Sequence, residues 1–406
     1  MGKHVRFRHH LTFAFLRPFF HLFLRIRYNF RRRFFKLERK RPYLILYNHA
    51  TNVDAYAVAC SFRRPLYFVA TEHLMSVKHL SWLVDYLIAP IPIQKNKVDL
   101  RSVREIVSVA KEGGTIALSP EGNSTLTGEN PYMYRSIRKL VRLLRLPVVF
   151  CHITGNYMSN PRWGVGIRKN QLTCEITDIL EPSVYLFLTD DEVFQLIKEK
   201  LYVNAYQDQM KAPRLYPSKE PALYLERVLL VCPRCRSIDR LYSIGNRVVC
   251  KSCDFEIALD EYGFFTDNDF DFKTVIDWDN WQKPLLAAWV AAHPDAAPLF
   301  APAEVRVLEH VQTGKRYSYK RDLGLATITL TTAGFVLEFA DRSLMIDWDV
   351  LEELAMADKN QLLFYRPNAN TLIIKGKDRF SPYKYVIARQ KLMAMRRGVE
   401  PEYLGI

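Results

Sequence analysis

The chain has no apolar run long enough to cross a bilayer. Its best stretch, Leu11 to Leu24, is broken by Arg17 and Pro18 and falls short of the roughly 20 residues that a spanning helix needs. No small-residue cleavage site follows it, which argues against a secretory signal, although an Arg-rich, acid-poor start also resembles an organellar transit peptide. Acidic residues are nearly missing from that start. Thirteen Lys and Arg up to Arg41 face one acid, Glu38, so this segment holds +12 of the chain's formal +15. The basic balance is a property of the N-terminus. Cysteine is sparse, with seven in 406 residues. Cys60, Cys151 and Cys174 lie in apolar, core-like runs and read as inert thiols; nothing reads as a disulfide framework, which points to a reducing compartment. The length exceeds one ordinary core and implies two or three domains, and 49% apolar residues are enough to pack them.

What is present is organised around residues 43 to 54, Tyr-Leu-Ile-Leu-Tyr-Asn-His-Ala-Thr-Asn-Val-Asp. Tyr43 to Tyr47 is short, continuous and β-prone, and predicts a strand buried on both faces. Thr51 or Asn52 is predicted to cap a helix from Val53. Positions five apart in a helix stand roughly 140° apart around the axis, so His49 must precede the helix if Asp54 is to touch it. Asp54 would then accept one imidazole N–H and leave the other nitrogen to take a proton from a hydroxyl. The competing reading is a structural hydrogen bond. A second buried strand, Thr115 to Ser119, runs through Pro120 into Glu121 and Gly122, where the glycine admits close approach of a ligand to the backbone.

Asn48-His49-x4-Asp54 and, about seventy residues on, Pro120-Glu121-Gly122 resemble the first and third motifs of the glycerolipid acyltransferases, which acylate lysophosphatidic acid and related acceptors. Ala89-Pro-Ile-Pro-Ile-Gln-Lys95 is similar to their second motif and Leu146-Pro-Val-Val-Phe150 to their fourth. The resemblance covers roughly residues 1 to 205. It implies a catalytic pair, His49 and Asp54, and substrate contacts from Asn48, Lys95, Glu121 and Gly122. It also implies an acyl-CoA or acyl carrier protein donor, a lysolipid acceptor and no covalent acyl-enzyme. Lys95 stands where the family usually has Arg, and Ser124 replaces the arginine after the glycine. A lysine is a point charge, not a bidentate fork, so the acceptor head group stays open.

Residues 1–42 read as one or two interfacial helices, with phenylalanines entering the acyl boundary and arginines meeting anionic head groups. This predicts a peripheral or monotopic protein on the cytoplasmic face of a membrane. The same aromatics covering a core, or stacking on bases, are the other readings. The domain 43–205 is predicted to be α/β, with a basic helix near 134–146 whose arginines face membrane, donor phosphates or plain solvent. Residues 206–226 read as a linker. In 227–262, Cys232-x2-Cys235 and Cys250-x2-Cys253 flank fourteen residues that form a hairpin, the spacing of a structural four-thiolate zinc ribbon. Nothing around it is basic enough to prefer nucleic acid. A helical connector, 263–303, precedes 304–406, a mostly β domain closed by a helix and similar in pattern to pleckstrin-homology domains. Two other functions remain open: a non-catalytic lipid-binding scaffold, and a zinc-ribbon nucleic-acid-binding protein.

Overall fold

The computed structural model describes all residues except 1–3, 34, 39–40, 72–85, 87, 94–99, 268, 294–297, 314–316, 368 and 400–406. The sequence predicts a helix over 77–87, a basic loop that carries Lys95 and a helix cap at Asp99, and these lie outside the described residues, apart from Tyr86. The chain divides into two units, one of residues 1–160 and 167–214, the other of 161–166 and 215–406.

The first unit is an α/β layer structure. Its strands are β1 (Leu44–Tyr47), β2 (Leu66–Thr71), β3 (Ile91–Ile93), β4 (Thr115–Leu118), β5 (Val148–Thr154) and β6 (Thr173–Leu180), in the order β3-β2-β4-β1-β5-β6. All neighbours run parallel except β5 and β6. Alternate residues of a strand face opposite sides, and here both sides are covered. Leu44, Leu46, Ile116, Leu118, Val148 and Phe150 pack with Ile106, Val109, Ile137, Val141, Val193 and Ile197 from helices Leu100–Lys111, Ile137–Leu144 and Asp190–Lys200. Ile45, Tyr47, Ala117, Val149 and Cys151 pack with Leu24, Tyr28, Ala57, Val58 and Cys60 from helices Phe7–Tyr28 and Asp54–Ser61. Burial on both sides explains the continuous apolar runs. Cys60, Cys151 and Cys174 are all buried in this second layer, which pushes the Cys60 thiol up to about 11 and Cys151 higher than an ordinary thiol.

The N-terminal segment forms one 22-residue helix, Phe7–Tyr28, with Pro18 inside it. Its inner side is anchored by Leu24 and Tyr28, by Phe20 against Tyr56 at 4.8 Å and by Arg17 donating to the Phe62 carbonyl at 3.1 Å. Among the described residues no helix is long and apolar enough to cross a membrane. The arginines of Ile137–Leu144 do not stand in solvent: Arg138 meets Asp191 at 2.6 Å and Arg142 meets Asp190 at 2.8 Å. Those acids open the helix Asp190–Lys200, where Thr189 and Glu192 form a capping box.

In the second unit the two Cys-x2-Cys turns flank a hairpin, β7 (Leu241–Ile244) and β8 (Arg247–Cys250), joined by β9 (Glu256–Ala258). The stretch 206–226 includes part of the helix Ala205–Lys211 and buries Tyr216, Ala222 and Leu225. Helix Val275–Ala292 starts at a Thr274–Asp277 capping box and buries Trp278, whose indole N–H reaches the Val231 carbonyl at 3.0 Å.

A seven-stranded antiparallel sheet follows: β10 (Ala303–Thr313), β11 (Tyr317–Leu330), β12 (Gly334–Phe339), β13 (Ser343–Asp347), β14 (Glu353–Ala357), β15 (Gln361–Tyr365) and β16 (Thr371–Gly376). The order is β13-β12-β11-β10-β16-β15-β14, and helix Pro382–Arg397 closes it. Strand β14 is not evident in the sequence. Acids and alanines lower its β-propensity, yet Leu354, Ala355 and Met356 are all buried, and pairing with β15 overrides that propensity.

Candidate active site

The site lies where β4, β1 and β5 end side by side. Leu46 pairs with Leu118, so His49 and Glu121 each stand three residues beyond the same rung. Both leave the sheet at its carboxyl edge, where open α/β folds hold their ligands. Asn48 fixes the exit of β1: its amide donates to the Ile153 carbonyl at 3.0 Å and accepts the Ile153 N–H at 2.7 Å. Both ends of the side chain thus continue the β1–β5 ladder.

Asp54 is the first residue of its helix and has no exposed side-chain surface. Five donors converge on it. Its Oδ2 accepts from His49 Nδ1 at 3.0 Å and from the Ala50 and Thr51 N–H groups at 2.7 and 2.8 Å. Its Oδ1 accepts from the Thr51 hydroxyl at 2.8 Å and the Asn156 amide at 3.0 Å. The expected cap at Thr51 or Asn52 is corrected here: the N-cap position is Val53 and no side chain caps it. Asp54 reaches backwards instead and satisfies the N–H groups of the turn.

An ionised carboxylate only accepts, so the His49 proton sits on Nδ1 and the Nε2 lone pair is left as an acceptor. The His49 side chain is 30% exposed while Asp54 is sealed. The imidazole can be reached and the carboxylate cannot. The backbone of His49 is held as well, its N–H by Glu121 Oε2 at 2.8 Å and its carbonyl by the Thr125 N–H at 2.9 Å.

Glu121 is 7% exposed. Its other oxygen accepts from the Asn130 amide, which also donates to the Leu201 carbonyl at 3.1 Å and accepts from the Val203 N–H. Burial pushes the Glu121 carboxyl up to about 8, against the lowering by Asn130 and the His49 N–H. Gly122 is demanded by packing: a Cβ there would stand 2.8 Å from the Tyr134 ring. Gly128, at φ +104°, likewise admits the Tyr157 ring. His49, Glu121, Thr125, Asn130, Asn156 and Tyr157 line one narrow cleft. Lys95 falls outside the described residues. Asn130 and Asn156 do not stand out in the sequence, where Asn130 is one polar residue in a polar loop. The available signal for Asn156 is its place just after the fourth motif.

In the second unit the sulfurs of Cys232, Cys235, Cys250 and Cys253 lie within 4.8 Å of one another. Cys232 to Cys253 is 3.8 Å and Cys235 to Cys250 is 3.7 Å. Four thiolates about 2.3 Å from one tetrahedral ion would stand about 3.8 Å apart, so the donor set fits a metal of that kind. The Ser237 hydroxyl and N–H hold the Cys235 thiol down to about 6, and the Ser252 N–H reaches the Cys250 sulfur at 3.3 Å. These bonds favour the thiolate form that a metal takes, whereas burial pushes the Cys232 thiol up to about 12.

Residues 29–154 match the acyltransferase family model. Among solved structures, the chain is similar to the 1-acyl-sn-glycerophosphate (LPA) acyltransferase PlsC from Thermotoga maritima. The identity is 16% and the TM-score 0.41, over 50% of this chain and 80% of that one. No curated protein matches the chain. The matched span, residues 29–154, contains both halves of the histidine–aspartate pair and the turn that carries Glu121, and marks this part of the chain as an acyltransferase domain.

Proposed function

We propose that the protein is a membrane-surface O-acyltransferase that moves a fatty acyl group from an acyl thioester, acyl-CoA or acyl carrier protein, to a lysolipid hydroxyl. Lysophosphatidic acid or a related lysophospholipid is the proposed acceptor. The observation that carries this is the bond between His49 Nδ1 and the sealed Asp54 at 3.0 Å, with the ring accessible. His49 Nε2 takes the hydroxyl proton as the oxygen attacks the thioester carbonyl, and Asp54 stabilises the imidazolium. The tetrahedral adduct then expels the thiolate as the C–S bond breaks, and His49 returns the proton to sulfur. Asn48 and Gly122 shape the rim of the site, and Lys95 is assigned to the acceptor's negative head group.

Membrane attachment is assigned to helix Phe7–Tyr28. Phe7, Leu11, Phe15, Phe19, Leu22 and Ile26 recur every three or four residues and are all more than half exposed, a stripe on one helix face. Arg25 and Arg27 close the helix and suit anionic head groups. This supports a peripheral or monotopic protein at the cytoplasmic face. The four cysteines are assigned to a structural zinc, closing a zinc ribbon that braces its surroundings. The four-strand and three-strand meanders with a closing helix support a pleckstrin-homology-like, lipid-sensing role for residues 304–406.

The test is transfer from labelled acyl-CoA to a panel of lysolipids on anionic vesicles. Wild-type protein should acylate at least one, and His49→Ala should lose roughly 10²-fold or more while still floating with the vesicles. Wild-type turnover by His49→Ala removes the general-base mechanism.

A further inference from the structure

Glu121 spends both carboxylate oxygens inside the protein. One holds the His49 N–H at 2.8 Å and the other the Asn130 amide. The orientation of Asn130 is set independently. Its amide nitrogen meets the Leu201 carbonyl and its oxygen meets the Val203 N–H, so towards Glu121 it presents a donor. The Glu121 backbone is fixed as well, by its bridge to Met133. We infer that Glu121 and Asn130 form a single positioning pair, through which the segment after helix Asp190–Lys200 fixes the backbone of His49. This rests on the reading of His49 as the general base, and it assigns Glu121 to the base and not to the acceptor. A residue that holds the base changes turnover. A residue that grips the acceptor also changes its KM.

The pair can be tested by exchanging its polarity. In Glu121→Gln the new amide nitrogen must face either the His49 N–H or the Asn130 amide, donor against donor. In Asn130→Asp two carboxylates face each other. In the double variant that combines both changes, the introduced amide accepts from the His49 N–H and donates to the introduced carboxylate. That carboxylate still accepts from the Val203 N–H and loses only the bond to the Leu201 carbonyl. With labelled acyl-CoA and the best lysolipid, assayed above pH 8 where the Glu121 carboxylate is ionised, each single change should lower kcat by about tenfold or more, with the acceptor KM within about twofold. The double variant should recover most of the loss. Thermal melting identifies any variant that does not fold. A rise in acceptor KM at unchanged kcat, or a double variant no better than the worse single, overturns the pair.

Amide hydrogen exchange separates this from failure of the function itself, since it needs no turnover. Glu121→Ala and Asn130→Ala should both raise exchange in the peptide containing His49. Unchanged exchange overturns the inference even in a chain that transfers no acyl group. An inactive wild-type chain with the expected exchange overturns only the proposed function.

Discussion

The Asn156 amide donates to Asp54 Oδ1 at 3.0 Å across 102 positions of sequence, and it does so in a place where neither group meets solvent. Asn156 opens the short helix Asn156–Ser159 after Gly155, whose φ of +78° turns the chain out of β5. With Thr51 it holds the oxygen that does not face His49, and so fixes the carboxylate plane against the imidazole.

Asn156→Ala should therefore lower kcat about tenfold, because one donor to a buried carboxylate is worth on the order of 1.5–3 kcal/mol. Asn156→Asp should be worse, since it places a second carboxylate beside Asp54. Labelled acyl transfer and melting temperature, measured together, check this. Full activity in both variants would mean that Thr51 and the turn N–H groups orient Asp54 without help.

Much of this was legible in the sequence, for identifiable reasons. The runs at Leu44–Tyr47 and Thr115–Leu118 are uninterrupted because the sheet is covered on both faces. His49 and Asp54 sit close in sequence, so a local turn suffices to join them. The cysteine turns carry their own spacing. Asn130 and Asn156 were hidden because an asparagine in a polar loop looks alike whether solvated or committed to buried carboxylates. The arginines of the helix Ile137–Leu144 were ambiguous until the fold brought Asp190 and Asp191 to them. Strand β14 depends on its neighbour more than on its own residues.

The cysteine cluster should bring about one zinc per chain through preparations made without chelator, as elemental analysis can show. Removing the ion with a strong chelator should lower the melting temperature, because the closed thiolate shell is lost. Cys250→Ser, at a buried corner of the cluster, should lose the metal and destabilise the hairpin β7–β8. Wild-type protein free of metal and equally stable would rule out a structural zinc.

The exposed stripe of the N-terminal helix should be needed for vesicle binding and not for folding. Phe15 and Phe19 are 67% and 59% exposed, so changing both to Glu should cost little stability. It should nonetheless weaken flotation with anionic vesicles at least about tenfold, by removing apolar insertion and adding charge that the anionic surface repels. Unchanged flotation would place the membrane contact elsewhere on the chain.

The last prediction concerns pH. Burial raises the Glu121 carboxyl from 4.5 to about 8, so between those values the folded chain binds a proton that the unfolded chain has released. Stability must then fall as pH rises through that window, by up to about 1.4 kcal/mol per pH unit. Asp54, the charged neighbour of Glu121, pushes in the same direction as burial. Glu121→Gln should flatten this part of the stability profile. Activity should run the opposite way. Glu121 faces two donors, the His49 N–H and the Asn130 amide, and only the carboxylate satisfies both. Wild-type kcat should accordingly climb until pH passes about 8. In Glu121→Gln the limb centred near 8 should be lost, beneath a lower plateau. Paired pH profiles of melting temperature and kcat for the two proteins decide the matter, and identical acid limbs would show that Glu121 does not titrate in the working range.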